Sequence, residues 1–246
     1  MPKVVKQQVN RWKELCPDYD FVEWSDHNIS LETYKTCNYW NYAYSKQKWA
    51  YVSDVIQFNK VFEQGGFYLD CDAYMVKSLS EISAPSDHLI LGYMYDGVLS
   101  GGFLYAPPKH PLLKAILDYY DKIKGDMFIC NNTIITDCLN DMVPNLLLNG
   151  KFYSSEKYKL TIYPKEYFCQ PSFCKNKPFI LDMFAGSWKS PGREENFVAN
   201  RGSYGLVRIF RRKVNCFISI MRNEFRSVYI AALLGKKLKR CKSWMK

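Results

Sequence analysis

Asp70-Cys71-Asp72 follows a Gly65-Gly66 turn and the apolar run Phe67-Tyr68-Leu69. Read as a strand, that run sends successive side chains to opposite faces, so Asp70 and Asp72 point one way and Cys71 the other. Two converging carboxylates repel, and one pKa rises unless a cation or hydrogen-bond donors offset the repulsion. A hard divalent ion such as Mn²⁺ or Mg²⁺ does so with oxygen ligands, often keeps water, and bridges protein carboxylates to substrate phosphates. A nucleotide-sugar site needs this, because charge builds on the departing diphosphate as the glycosidic bond breaks. D-x-D alone is a weak signal, since about one such pair arises by chance in a chain of this length. An apolar strand followed by D-x-D also opens haloacid-dehalogenase-type phosphohydrolases, but those carry Thr or Val where this chain has Tyr74.

A second carboxylate stands out. Asp54 has Ala50, Tyr51, Phe58 and Val61 at its helical neighbour positions, and an unpaired charge on such an apolar face is costly. Two readings stand: a structural ion pair or helix-end contact, and an acceptor for sugar hydroxyls.

These residues need elements to position them. Val5, Val9 and Trp12 share one face of a helix over residues 3–15, which Cys16-Pro17-Asp18 closes ahead of a strand-like segment at 19–24. A helix over about 45–63 stops at Gly65-Gly66 and leads into the strand that delivers Asp70. Further strands are expected at 89–94, 99–105, 158–163 and 179–184, with helices near 110–124 and 131–141. The alternation predicts an α/β fold with helices packed around a central sheet. The sequence shows no internal repeat and no apolar run long enough to span a membrane.

Lys48-Trp49-Ala50-Tyr51-Val52-Ser53-Asp54, taken with Gly65-Gly66-Phe67-Tyr68-Leu69-Asp70-Cys71-Asp72, is far more specific than D-x-D. It resembles family 32 glycosyltransferases, the DXD-containing sugar transferases of the mannosyltransferase and capsular polysaccharide synthesis type. The resemblance extends from about Pro2 to Trp188, with Cys16-Pro17-Asp18-Tyr19, Tyr163-Pro164 and Gly186-Ser187-Trp188 as further matches. It implies a GT-A-like fold, a Mn²⁺ or Mg²⁺ cofactor, a UDP- or GDP-hexose donor, a glycan or lipid-linked acceptor, and retention of anomeric configuration. By the same resemblance Asp54 binds donor-sugar hydroxyls, Asp70 the ribose or sugar and Asp72 the metal, while Ser187 and Trp188 approach the diphosphate. Asn131 and Asn132 open a helix that in the family faces the acceptor or leaving group, although ordinary N-capping explains them as well.

The chain departs from the family pattern in three places. Gln57 stands where the family has Arg, and a neutral amide does not reproduce a bidentate guanidinium. Asp182-Met183 stands where the family often has His before Gly-Ser-Trp, and Asp182 offers an oxygen ligand instead. The usual first strand is missing, so either the true start lies upstream or part of the nucleotide pocket has been lost.

The formal charge of +10 is concentrated at one end: residues 201–246 hold thirteen Lys or Arg against the single acid Glu224, leaving 21 bases against 23 acids elsewhere. A near-neutral body without a recognised binding motif argues against nucleic acid as a partner. The division expected is a GT-A-like domain over 1–192 and a basic amphipathic helical tail over 193–246, punctuated by Pro191-Gly192 and Gly202. Residues 206–234 mix Leu206, Ile209, Phe210, Phe217 and Phe225 with Arg211, Arg212, Lys213 and Arg226. That pattern suits an anionic membrane surface or a helix packed on the core with a solvated charged face. Nine cysteines without a C-x-x-C pair fit a reducing compartment, and the expected location is cytoplasmic, peripheral at the inner face of the membrane.

Overall fold

The computed structural model describes residues 3–25, 27–123, 126–174, 177–182, 206–242 and 244–245. Helix α1 (Lys3–Leu15) buries Trp12, whose indole N–H donates to the Ala73 carbonyl at 3.0 Å. The Arg11 guanidinium donates to the Met75 carbonyl at 2.6 Å, so α1 is fixed across the segment that follows Asp72. Residues 19–24, expected as a strand, form none. They dock through side chains instead: Tyr19 packs edge-on against Phe67, and the Lys60 ammonium lies over the Trp24 ring. Aromatic content reflects fit to a half-buried surface as much as backbone preference.

The helix expected over about 45–63 forms as α3 (Trp49–Gln64), and a separate helix, α2 (Asn38–Ser45), precedes it. Gln47 adopts a left-handed conformation at φ 54. Lys48 N–H reaches the Ala43 carbonyl and Gln47 N–H the Tyr44 carbonyl, the paired bonds of a Schellman stop. Val52, Val55, Phe58 and Val61 form the buried face of α3. Gly65 ends it at φ 74, and a Cβ there would lie 2.6 Å from Pro108 Cδ.

Strand β1 (Gly66–Leu69) leads through the D-x-D segment to β2 (Ala73–Met75). A hairpin follows, β3 (Leu89–Tyr95) and β4 (Val98–Ala106), turning at Gly97 with φ 86. Next come α4 (Pro111–Tyr120), α5 (Asn131–Met142), β5 (Tyr153–Ser155), β6 (Leu160–Tyr163), α6 (Lys165–Phe168) and β7 (Ile180–Asp182). Met183 and Phe184 of the expected last strand lie outside the described residues. The main sheet runs β1-β4-β3-β6-β5, parallel at β3–β6 and antiparallel at its other pairings, while β2 and β7 form a separate antiparallel pair. The fold is thus mixed α/β. Leu89, Leu91 and Tyr93 face one hydrophobic core, and Ile90 faces a second with Trp12, Met75, Phe103 and Phe168. Burial on both faces explains why β3 reads as a nearly continuous apolar run.

The basic C-terminal residues, set apart in the sequence, share the main core. The basic amphipathic segment at 206–234 forms two helices, α7 (Leu206–Arg222) and α8 (Arg226–Leu233). Ile220, Phe225, Val228 and Trp244 pack into the core built on β3, β4 and α5. Arg240 forms an ion pair with fully buried Asp137, Lys242 pairs with Asp141, and Lys213 with Glu166 at 3.2 Å. The expected boundary at 192–193 lies outside the described residues.

Candidate active site at the Asp70–Asp72 turn

Strand β1 ends one residue before Asp70. Asp70 N–H donates to the Gly102 carbonyl, extending the β1–β4 pairing, and Ala73 N–H donates to the Asp70 carbonyl at 2.9 Å. The motif therefore sits on a tight turn and not on a pleated strand. Strand alternation is not what brings the carboxylates together; the turn folds the chain back, so that both line one small cleft. Asp182 lines the same cleft because β7 pairs with β2 in the register Asp182 opposite Ala73. Ser100, Gly102 and Phe168 complete much of the wall.

The Tyr68 hydroxyl donates to Asp70 Oδ1 at 2.8 Å. Burial, followed by the charge of Asp72, raises the Asp70 carboxyl to about 7, and the Tyr68 hydrogen bond opposes the rise. Gly102 is required where Asp70 sits, since a Cβ there would fall 2.8 Å from Asp70 Oδ2. Asp54, on α3, is pushed well above the ordinary carboxylate range by burial and by the charge of Asp70. The Asn131 amide donates to Asp54 Oδ1 at 2.8 Å and opposes the rise. Of the two readings of Asp54, an ion pair is not what the contacts show.

Behind the cleft, the Gly101 peptide is held from both sides. Its N–H donates to Asn132 Oδ1 at 2.7 Å, and its carbonyl accepts from Gln57 Nε2 at 3.1 Å. Gln57 is buried and spends its amide on this strand, so it supports β4 instead of facing the cleft. Neither asparagine caps α5: the cap position is Cys130, and the two side chains reach across to α3 and β4. Ser187 and Trp188, expected near the diphosphate, lie outside the described residues.

Sequence reasoning passed over Ser100, Gly101, Gly102, Tyr68 and Phe168. The available signal was Ser100-Gly101-Gly102 inside a predicted strand, because glycine in a strand interior often marks close approach of another group.

The donor chemistry of the cleft suits a hard cation. Asp70, Asp72 and Asp182 offer only oxygen, and burial together with the charge of Asp72 raises the Asp70 carboxyl. Among the described residues no group of three or more His, Cys, Asp or Glu is arranged to hold a metal ion.

Among curated proteins none matches the chain. A solved structure described as "PaToxG Glycosyltransferase" matches with 16% identity and a TM-score of 0.45, over 59% of this chain and 65% of that one. Residues 2–89, which include Asp54, Asp70 and Asp72, match the family model "Glycosyltransferase sugar-binding region containing DXD motif".

Proposed function

We propose that the protein is a metal-dependent glycosyltransferase of GT-A-like fold. It moves a hexose (galactose, glucose or mannose) from a UDP- or GDP-sugar to a glycan or lipid-linked acceptor in cell-surface polysaccharide synthesis, with retention. The observation that carries the reading is the meeting of Asp70, Asp72 and Asp182 at one cleft, beside an Asp54 whose own carboxyl is raised by burial and by the charge of Asp70. The pathway, the hexose and the stereochemistry rest on the resemblance of the motifs to family 32 enzymes.

In this reading Asp72 and Asp182 hold Mn²⁺ or Mg²⁺, which when bound supplies positive charge to the leaving diphosphate. The protein's own residues do the positioning. Carboxyl oxygens accept hydrogen bonds, so Asp70 and Asp54 suit hydroxyl donors of ribose and sugar. Tyr68 keeps one Asp70 oxygen oriented and leaves the other toward Gly102. Asn131 fixes the Asp54 rotamer, and Gln57 with Asn132 keeps β4 in register behind both acids. Ser187 and Trp188 are assigned to the diphosphate.

The test is hydrolysis of a panel of UDP- and GDP-sugars with and without Mn²⁺, on the wild type and on Asp72→Ala. One donor should turn over, only with metal and only in the wild type. A folded protein that hydrolyses and binds none of them contradicts the proposal.

A second reading, a non-catalytic homologue that binds glycan or a partner transferase, is favoured by one observation. The position where the family has Arg is Gln57, buried and committed to the Gly101 carbonyl, so no cation reaches the cleft from α3 there. Donor binding without turnover would select it.

A further inference from the structure

Helix α7 has more apolar surface than the core uses. At about 100° per residue, its apolar positions span roughly 200° of the helix, twice the stripe an ordinary surface helix needs. Ile209, Cys216 and Ile220 occupy one side of that arc and are buried against the protein. Leu206, Val207, Phe210, Val214, Phe217 and Ile218 occupy the other side and face solvent, with Val207 83%, Phe210 65% and Phe217 62% exposed. Across this second stripe, about 120° wide, no polar residue intervenes. Arg211 and Arg222 border it, and both are exposed.

We propose that this outer face of α7 docks on an anionic lipid surface, lying in the headgroup plane with Phe210 and Phe217 inserted. Charge chooses the occupant. The C-terminal 46 residues carry thirteen bases against Glu224. The internal acids Asp137, Asp141 and Glu166 engage Arg240, Lys242 and Lys213, while Arg211, Arg222, Arg226, Lys236 and Lys239 stay at the surface. An apolar stripe with basic borders is the signature of an interfacial helix, and each base near an anionic leaflet adds to the attraction. A second copy of the chain is disfavoured, because it would set the same basic border against itself. No described helix is long and apolar enough to cross a membrane. The inference goes beyond the transferase reading and does not depend on it.

The experiment is co-sedimentation of the full chain with phosphatidylcholine vesicles and with vesicles holding about one third phosphatidylglycerol, at 0.15 M salt. Phe210→Ser/Phe217→Ser and Arg211→Gln/Arg222→Gln are the variants. Both pairs of side chains are exposed, so the melting temperature should stay within a few degrees of wild type. The wild type should bind the anionic vesicles and not the neutral ones, and each double variant should lose at least tenfold in partitioning. Absence of binding to anionic vesicles overturns the proposal. Wild-type binding by the Phe210→Ser/Phe217→Ser variant also overturns it, because the apolar stripe would then play no part. A concentration-dependent dimer of the wild type in light scattering, abolished by the same variant and unaffected by vesicles, would assign the face to a second copy instead.

Discussion

Gly101→Ala isolates the packing that holds Asp54. A Cβ built at Gly101 meets Asn131 Nδ2 at 2.5 Å and Asn131 Cγ at 2.8 Å, closer than any real contact. Its φ lies outside the left-handed region, so alanine meets no backbone strain and the whole cost is this collision. Asn131 can swing aside and abandon Asp54, losing a hydrogen bond to a carboxylate worth about 1.5–3 kcal/mol. Alternatively β4 shifts, at about 1–3 kcal/mol for overpacking. Reduced freedom of the unfolded chain returns about 0.4–1 kcal/mol. The net loss is about 1–2 kcal/mol, or a melting temperature lower by roughly 3–8 °C for a chain of this length. Asn131→Ala removes the obstructing amide, so Gly101→Ala added to it should be neutral or stabilising by up to about 1 kcal/mol. The assay is a double-mutant cycle by urea or thermal unfolding, with an expected coupling of about 2 kcal/mol. Costs that add within about 0.5 kcal/mol would refute the contact as the cause.

Three further outcomes follow from the same geometry. The Asp70 carboxyl sits at about 7, above its ordinary 3.8; metal-free protein should lose stability as pH rises from near 4 through 7 and level off above. Since an ion needs the ionised form, Mn²⁺ affinity measured by calorimetry should fall by up to about tenfold per pH unit below 7. Arg240→Ala leaves the buried Asp137 without its guanidinium, at about 3–5 kcal/mol; a single cooperative transition should drop by on the order of 10 °C, with partial recovery in Arg240→Ala/Asp137→Asn.

What the sequence disclosed was local. α1, the Gly65 stop and the apolar strand before Asp70 follow from periodicity and punctuation over a few residues. The stop at Gln47 was hidden because left-handed turns are usually marked by glycine and this one is not. The segment at 19–24 has strand-like composition, yet its aromatic side chains find partners that its backbone does not need. In the site, Asp54, Asp70, Asp72 and Asp182 were all legible as candidates. The convergence of Asp70 and Asp72 was inferred from a strand alternation that is absent, and it arises from a turn closed by the Ala73 N–H. The supports were not legible: the Gln57–Gly101–Asn132 clamp joins residues 44 and 31 positions apart, and its energetic sense depends on which strand passes between two helices. The same holds for Arg240 and Asp137, 103 residues apart. A count of charges sees a basic end and an acid in a helix, not the pair they make.

The central claim is that the Asp70–Asp72 turn holds a divalent ion together with a nucleoside diphosphate. The most direct measurement is an electron paramagnetic resonance titration of Mn²⁺ into the wild type and Asp72→Ala, each with and without UDP or GDP, at pH 8. The account predicts weak Mn²⁺ binding by the wild type alone, binding at least tenfold tighter with one of the nucleotides, and loss of that enhancement in the variant. Nucleotide binding that is equally tight in the presence of chelator, or an Asp72→Ala titration that matches the wild type, would contradict it.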